Sequence, residues 1–198
     1  MEQAEFRIPC GKAFQTLSVS KERIAACLLP KEPSHGKMTE DEIVHQALAN
    51  PIASLLLSEL ARNARRILVI TPDHTRPMPS RITMPILLTE LRKGNPDAQI
   101  VLLVATGLHR KTTEAELRQR YGEEIVNREK IVVHNANDAS QLVSFGSLSS
   151  GGELWLNNLV ANSDLVIAEG FIEPHFFAGY SGGRKSILPG VAGAETIR

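Results

Sequence analysis

Hydrophobic residues fall into short runs separated by amphipathic stretches, and this alternation predicts most of the secondary structure. Residues 66–70, 99–105 and 164–168 form predominantly apolar runs, which are typical of parallel strands covered on both faces. Residues 82–91 and 113–121 have apolar positions at helical spacing and lie between these runs. This order indicates an α/β fold with a doubly wound, mostly parallel sheet flanked by helices.

The N-terminal part of the chain predicts a short β element. Apolar and polar residues alternate over much of residues 5–29, with a turn at Gly11, as in antiparallel strands. Residues 30–36 are rich in proline and polar side chains and read as a linker. The chain of 198 residues is long enough for one well-cored domain and contains no internal repeat. We therefore predict a single α/β domain over residues 1–198.

Local signals predict further elements on either side of the buried strands. Thr39 and Glu42 have the spacing of a capping box, and the helix that follows is predicted to bury Ile43, Val44, Ala47 and Leu48. The Asn50–Pro51 pair predicts a second helix that runs to Leu60, because a first-turn proline lacks only an N–H that would be unpaired anyway. Shorter apolar runs predict strands at residues 131–133, 142–145 and 153–156.

Composition narrows the class of protein. The 22 basic residues balance the 22 acidic residues, which argues against nucleic acid or a charged membrane surface as a partner. Cys10 and Cys27 form no metal-binding or disulfide pattern, as is usual in a reducing compartment. The N-terminus lacks the features of a signal peptide, and no apolar run reaches the length of a membrane span. The sequence predicts a cytoplasmic protein.

Three loops of unusual chemistry follow predicted strands. They occupy residues 71–80, 106–110 and 169–190. Ligands of doubly wound sheets bind in the crevice beyond the carboxyl ends of the strands. Because parallel strands end at the same edge, we expect these loops to converge there.

The first loop holds a charged cluster between two prolines. Asp73, His74 and Arg76 lie between Pro72 and Pro77, which restrict the backbone. Arg76 could bind a carboxylate or phosphate through two parallel hydrogen bonds. The alternative is a surface ion pair between Asp73 and Arg76 that contributes little to stability.

The other two loops offer imidazoles and an ammonium group. His109 and His175 could accept and return a proton near neutral pH, although an isolated loop histidine is more often simply solvated. The glycine-rich run from Ser181 to Lys185 is typical of turns that bind anions through backbone N–H groups, or is only a turn. Glu169 and Glu173 could orient His175 or pair with a lysine, with solvation as the simpler interpretation.

These motifs together carry a resemblance to a known family. The segments are Asp73-His-Thr-Arg-Pro77, Ala105-Thr-Gly-Leu-His-Arg110, and Glu173-Pro-His followed by Gly179-Tyr-Ser-Gly-Gly-Arg-Lys-Ser-Ile-Leu-Pro-Gly190. In content and order they resemble the amino-terminal domain of the nickel-pincer lactate racemase family. The similarity of layout spans nearly the whole chain.

The resemblance implies a racemase or epimerase of 2-hydroxy acids that works by hydride transfer to a cofactor. That cofactor is the nickel-pincer pyridinium-3,5-bisthiocarboxylic acid mononucleotide, and by resemblance it is tethered covalently to Lys185. His109 and His175 match the two alternating general bases. The positions Asp73, His74, Thr75 and Arg76 match the segment that contacts the cofactor, and Asp73 and Arg76 also match substrate contacts.

The sequence departs from the family pattern in one respect. The family's nickel-ligating histidine lies beyond the lysine motif, whereas no histidine follows His175 here, so we assign no metal ligand. The resemblance covers only the first domain of the family, and we expect an inactive fragment that lacks the second domain and needs it as its partner. The alternatives are a non-catalytic phosphate- or nucleotide-binding module, or a structural domain in which residues 169–190 lie apart from the other loops.

Overall fold

The chain is described by a computed structural model that covers residues 2–29, 36–175 and 178–198. It divides into two compact units, Met1–Lys37 and Met38–Arg198. We predicted one α/β domain over residues 1–198, and the α/β fold lies in the second unit. The first unit is a separate compact unit. The predicted linker lies almost wholly outside the described residues.

The first unit is an antiparallel hairpin, as the alternating pattern predicted. Strands β1 (Gln3–Cys10) and β2 (Ala13–Ser20) pair with Phe6 opposite Leu17. The turn between them contains Gly11 in the left-handed region, at φ +61°, which an L-residue adopts at a cost. Residues 24–29 form no strand, so that part of the prediction is wrong.

The second unit is built on a four-stranded parallel sheet. As far as residue 168, the strands of this unit are β3 (Arg66–Pro72), β4 (Gln99–Ala105), β5 (Lys130–Val133), β6 (Leu142–Ser147), β7 (Glu153–Asn157) and β8 (Leu165–Ala168). The sheet order is β5-β4-β3-β8, while β6 and β7 form a separate antiparallel pair. The chain thus moves from β3 outward to β5 and returns to the other side of β3. The predicted α/β class with a mostly parallel sheet is confirmed.

Helices surround this sheet. They are α1 (Glu40–Ala49), α2 (Leu57–Ala61), α3 (Ser80–Gly94), α4 (Glu114–Tyr121), α5 (Glu123–Arg128), α6 (Asn158–Ala161) and α7 (Ala194–Ile197). Both predicted capping boxes are present, at the starts of α1 and α4. The second predicted helix begins at Leu57 and not after Asn50, because Glu59 caps the backbone N–H of Leu56. Burial along α1 was also overestimated, since Ile43 is 51% exposed.

Two apolar clusters cover the faces of the sheet. Alternate residues of β3 belong to different clusters, because successive side chains of a strand point to opposite faces. Ile67 and Val69 pack with α3 and α4, whereas Leu68 and Ile70 pack with Leu103 and the segment ending at Val191. Within the described residues, no helix has the length and apolar character to cross a bilayer.

Two short strands lie beyond β8, in the last of the three loops. They are β9 (Pro174–His175) and β10 (Gly179–Tyr180), and they pair antiparallel. A short 3₁₀ turn, Gly183–Ser186, follows them and carries Lys185. The glycine-rich segment therefore has defined structure around both of its candidate residues.

Candidate functional site

The three loops line one cavity of about 300 Å³ at the carboxyl edge of the parallel sheet. This confirms the predicted convergence and excludes the alternative in which residues 169–190 lie apart. The cavity lies beside the point where the chain returns to β3, the position at which doubly wound sheets bind ligands. The predicted site residues that line it are Asp73, Arg76, His109, His175 and Lys185.

Asp73 is the most deeply placed of these residues, at 2% exposure. One carboxylate oxygen accepts from the Thr75 backbone N–H at 3.1 Å and from the Thr75 hydroxyl at 2.6 Å. The other oxygen lies 2.6 Å from Nδ1 of His109. Burial alone would raise the pKa of Asp73, but the hydrogen bonds from Thr75 and His109 outweigh it and lower that pKa. Asp73 is therefore ionised at neutral pH.

The contact with Asp73 sets the tautomer of His109. An ionised carboxylate only accepts hydrogen bonds, so Nδ1 of His109 must carry a proton. In the neutral ring the lone pair then lies on Nε2. His109 follows β4 and is about half exposed at the cavity. The pair thus presents an oriented imidazole with one basic nitrogen.

Hydrogen bonds within the third loop hold the part of the cavity wall that this loop forms. The Ser181 hydroxyl donates to the Phe171 carbonyl at 3.1 Å and accepts from the Glu173 N–H at 3.0 Å. Gly182 has φ +73°, and a Cβ there would lie 2.8 Å from the Phe171 carbonyl oxygen, so only glycine fits. The Gly107 N–H donates to Gly190 at 2.9 Å and joins this loop to the one that carries His109.

Two groups on this wall have lowered pKa values. Burial and the positive charge of Arg76 lower the pKa of Lys185, against a weaker opposing effect of Glu173. Burial, followed by the charges of Lys185 and Arg76, lowers the pKa of His175. Nδ1 of His175 accepts the backbone N–H of Ala178 at 3.3 Å, so the neutral ring carries its proton on Nε2.

Two predicted contact residues do not line the cavity. Nδ1 of His74 lies 3.1 Å from the Thr112 hydroxyl, and His74 is not among the residues that line the cavity. Thr75 supports Asp73 and accepts a 2.9 Å hydrogen bond from Arg76. Direct cofactor contact by His74 and Thr75 stays a prediction.

Glu169 has a role that the sequence did not indicate. It is 5% exposed, so solvation does not describe it. Its carboxylate accepts hydrogen bonds from Thr71 at 2.6 Å, from Ser80 at 3.0 Å and from Thr83. Ser80 and Thr83 lie in the first turn of α3, where the helix dipole favours an anion. Glu169, directly after β8, therefore connects the end of β3 to the start of α3.

His134 is a second residue whose environment only the structure reveals. It is buried, its Nε2 lies 2.9 Å from the Ala192 carbonyl oxygen, and its Nδ1 lies 3.1 Å from the Asn157 amide. Burial is the main cause that lowers its pKa. His134 is therefore a neutral histidine with both ring nitrogens paired, and its role is structural.

The described residues contain no group of three histidine, cysteine or acidic side chains that could hold a metal ion. Cations, glycines with positive φ and an amine of lowered pKa instead surround the cavity. Such a set can bind an anion and can react through the amine.

Comparison with known proteins agrees with this geometry. Residues 10–198 match the family model described as the lactate racemase N-terminal domain. The chain is 48% identical over 195 residues to the lactate racemase of Thermoanaerobacterium thermosaccharolyticum, covering 98% of this chain and 46% of that protein. It is 50% identical over 191 residues to the lactate racemase of Lactiplantibacillus plantarum, covering 96% and 45%.

A solved structure extends the comparison to the fold. The lactate racemase apoprotein of Thermoanaerobacterium thermosaccharolyticum superposes with a TM-score of 0.88, at 48% identity, over 98% of this chain and 45% of that one. The chain thus spans less than half the length of these relatives. The match over residues 10–198 and the shared architecture lead to one assignment: the chain belongs to the lactate racemase N-terminal domain family.

Proposed function

We propose that the full-length protein racemises or epimerises a 2-hydroxy acid in the cavity of this domain. The observation that carries the proposal is that two histidines, an arginine and a lysine from three separate loops line one cavity. Racemisation through a planar intermediate requires a proton-transfer group on each side of the substrate. An acid substrate also requires a fixed cation.

Arg76 is the proposed carboxylate-binding group. One of its nitrogens donates to Thr75 at 2.9 Å, which steadies the guanidinium on the same turn as Asp73. Its remaining donors suit a carboxylate, because the planar group can form two parallel hydrogen bonds. Burial is the largest cause of the lowered pKa values of His175 and Lys185, and the charge of Arg76 adds to it in both cases. A substrate anion would partly offset that charge.

His109 is the proposed base for one enantiomer. Its Nδ1 is held by ionised Asp73, so Nε2 takes the proton of the substrate hydroxyl and the carboxylate stabilises the resulting imidazolium. When the opposite enantiomer forms, its oxygen takes a proton from protonated His175, and proton exchange with solvent resets both rings. His175 is the proposed base for the other enantiomer. To accept a proton on Nε2, its ring proton must move from Nε2 to Nδ1, and the contact between Nδ1 and the Ala178 N–H is lost.

The described residues fit the organic part of the cofactor implied by the family. Lys185 is the proposed attachment point, because a lowered pKa increases the fraction of neutral, nucleophilic amine. The turn at Gly182 and Gly183 and the charge of Arg76 suit an anionic group such as a phosphate. When bound, the nickel-pincer group would accept the hydride from the substrate's α-carbon and return it to either face. The described side chains offer no three-ligand metal set, so we assign none of them to nickel.

A second candidate is a phosphate- or nucleotide-binding module without catalysis. The observation in its favour is that same lack of a metal-binding group among the described residues. Both functions require Arg76 and Lys185, but only the racemase requires His109 and His175.

Histidine variants of the full-length, cofactor-loaded protein separate the two functions. Loss of optical rotation from single enantiomers of 2-hydroxy acids is measured for His109→Ala and His175→Ala. His45→Ala, on the exposed face of α1, is the matched control. We expect each site variant to lose at least about a hundredfold in kcat, the usual range of general acid–base catalysis, and the control to lose nothing. Full activity in both site variants contradicts the two-base mechanism, and no turnover of any acid by the wild type favours the binding module.

We also propose that residues 1–198 alone do not racemise a 2-hydroxy acid. The relatives are about twice as long, and a cavity open to solvent orients a bound acid poorly. After incubation with cofactor, intact mass reports attachment to Lys185 and polarimetry reports turnover. Racemisation at the rate of the full-length protein would contradict the proposal.

A further inference from the structure

The turn that presents Asp73 and Arg76 is held from outside the cavity by one side chain. Arg120 lies in α4 and does not line the cavity. One of its terminal nitrogens donates to the carbonyl oxygens of Asp73 and Arg76, at 2.6 Å each. Among the residues that the structure describes, Arg120 forms no ion pair with a carboxylate. Its charge is therefore directed at the backbone of the site.

The same two carbonyls carry the hydrogen bonds of the turn itself. The Asp73 carbonyl accepts the Arg76 N–H at 3.2 Å, and the Arg76 carbonyl accepts the Met78 N–H at 2.9 Å. Prolines at positions 72, 77 and 79 supply no N–H, so this segment has few backbone donors. Arg120 adds a charge-assisted donor at each carbonyl, and such bonds are stronger than those between neutral groups.

We propose that Arg120 is a positioning residue that fixes the Asp73–Arg76 turn in its cavity-facing conformation. The inference rests on the proposed function for its effect on catalysis, but its effect on the turn does not depend on that function. Without Arg120, both carbonyls lose a short donor and the two weaker turn hydrogen bonds remain. A displacement of about 1 Å in a substrate-positioning group can lower a rate about a hundredfold.

The catalytic test compares two arginines of the same helix in the full-length, cofactor-loaded protein. Arg120→Met removes the donors and keeps the aliphatic bulk. Arg118→Met is the matched control, because Arg118 pairs with Glu114 and Glu123 at the surface. We expect kcat/KM to fall about tenfold to a hundredfold in Arg120→Met and to stay within about twofold in the control. Arg120→Lys should recover part of the loss, since the ammonium can donate to at least one of the two carbonyls.

Amide hydrogen exchange provides a readout that needs no racemase activity. We expect exchange at Arg76 and Met78 to accelerate about tenfold or more in Arg120→Met relative to the wild type. Amides within β4, which report opening of the whole sheet, should stay within about twofold. If Arg120→Met does not fold, Arg120→Lys carries the same comparison.

Each outcome decides the proposal. Local acceleration together with reduced kcat/KM supports it. Equal acceleration at Arg76, Met78 and β4 would show that Arg120 acts on global stability. Unchanged kcat/KM with local acceleration would show that catalysis does not depend on the support that Arg120 gives the turn. Either result overturns the proposal. If the wild type racemises no acid, the proposed function fails, and the exchange pattern alone decides whether Arg120 holds the turn.

Discussion

Replacing Asp73 by asparagine tests whether the carboxylate orients His109. Asparagine keeps one acceptor oxygen for the Thr75 N–H and hydroxyl, which in the wild type lie 3.1 and 2.6 Å from the carboxylate oxygen of Asp73. It places an NH₂ donor where the carboxylate oxygen lies 2.6 Å from Nδ1 of His109. Nδ1 must then accept a hydrogen bond, so the ring proton moves to Nε2. The nitrogen proposed to act as base loses its lone pair.

The expected magnitude follows from the bond that is lost. A hydrogen bond to a charged group contributes about 1.5–3 kcal/mol, which corresponds to a population change of roughly tenfold to 150-fold between tautomers. General-base catalysis contributes about 10²–10⁴-fold in all, which sets the upper limit. We therefore expect kcat of the full-length Asp73→Asn protein to fall about a hundredfold or more, with a smaller change in KM because Arg76 is retained.

Asp138 offers a matched control for the same substitution. Its carboxylate accepts the Ser140 N–H at 3.1 Å and the Ser140 hydroxyl at 2.6 Å, the same local geometry as Asp73 with Thr75, but without a histidine. Asp138→Asn therefore removes the charge from an equivalent turn. The other oxygen of Asp138 accepts from the Gln141 side chain at 2.9 Å, so a larger loss in Asp73→Asn than in Asp138→Asn reports the contact with His109.

The assay combines racemisation kinetics with nitrogen-15 NMR of the histidine rings, which distinguishes the two tautomers directly. We expect the Nδ1-protonated form of His109 in the wild type and in Asp138→Asn, and the Nε2-protonated form in Asp73→Asn. A kcat within about threefold of the wild type, with the tautomer reversed, would refute the reasoning, since general-base catalysis should cost far more than that.

Three further substitutions address the framework of the site. Glu169→Ala removes the acceptor of three hydroxyl groups and should lower the free energy of unfolding by about 2–4 kcal/mol in urea titration, with a smaller loss for Glu169→Gln. The pKa of His134 is lowered in the fold, so its contribution to stability is present above the ordinary histidine pKa of about 6.5 and is lost as the pH falls below it. In urea titrations at several pH values, the free energy of unfolding should therefore decrease less steeply with falling pH for His134→Gln than for the wild type. Gly182→Ala should weaken cofactor binding and stability more than Gly151→Ala. Both positions have positive φ, but only the added Cβ at Gly182 would meet a backbone oxygen, at 2.8 Å. Equal behaviour of the two variants in a calorimetric titration and a thermal melt would contradict this prediction.

Interactions between residues close together in the chain could be predicted from the sequence. A strand buried on both faces must be apolar throughout, so the runs that became β3, β4 and β8 indicated a parallel sheet. The capping boxes at Thr39 and Thr113 were predictable because both partners lie three residues apart. Because all parallel strands end at one edge, convergence of the loops followed from the fold class alone, and residues from all three loops line the cavity.

Contacts between distant parts of the chain were decided only by the tertiary structure. Asp73 and His109 are 36 residues apart, and Glu169 is 98 residues from Thr71, so no local pattern links them. The identity of a carboxylate does not reveal whether it will be solvated or surrounded by hydroxyl donors, and the expectation that Glu169 is solvated was therefore wrong. Arg120 looks like any polar residue of a surface helix, because its partners are backbone carbonyls, which every residue possesses. Sequence patterns record local hydrogen bonding and burial, whereas the site depends on pairings that exist only once the sheet has brought its loops together.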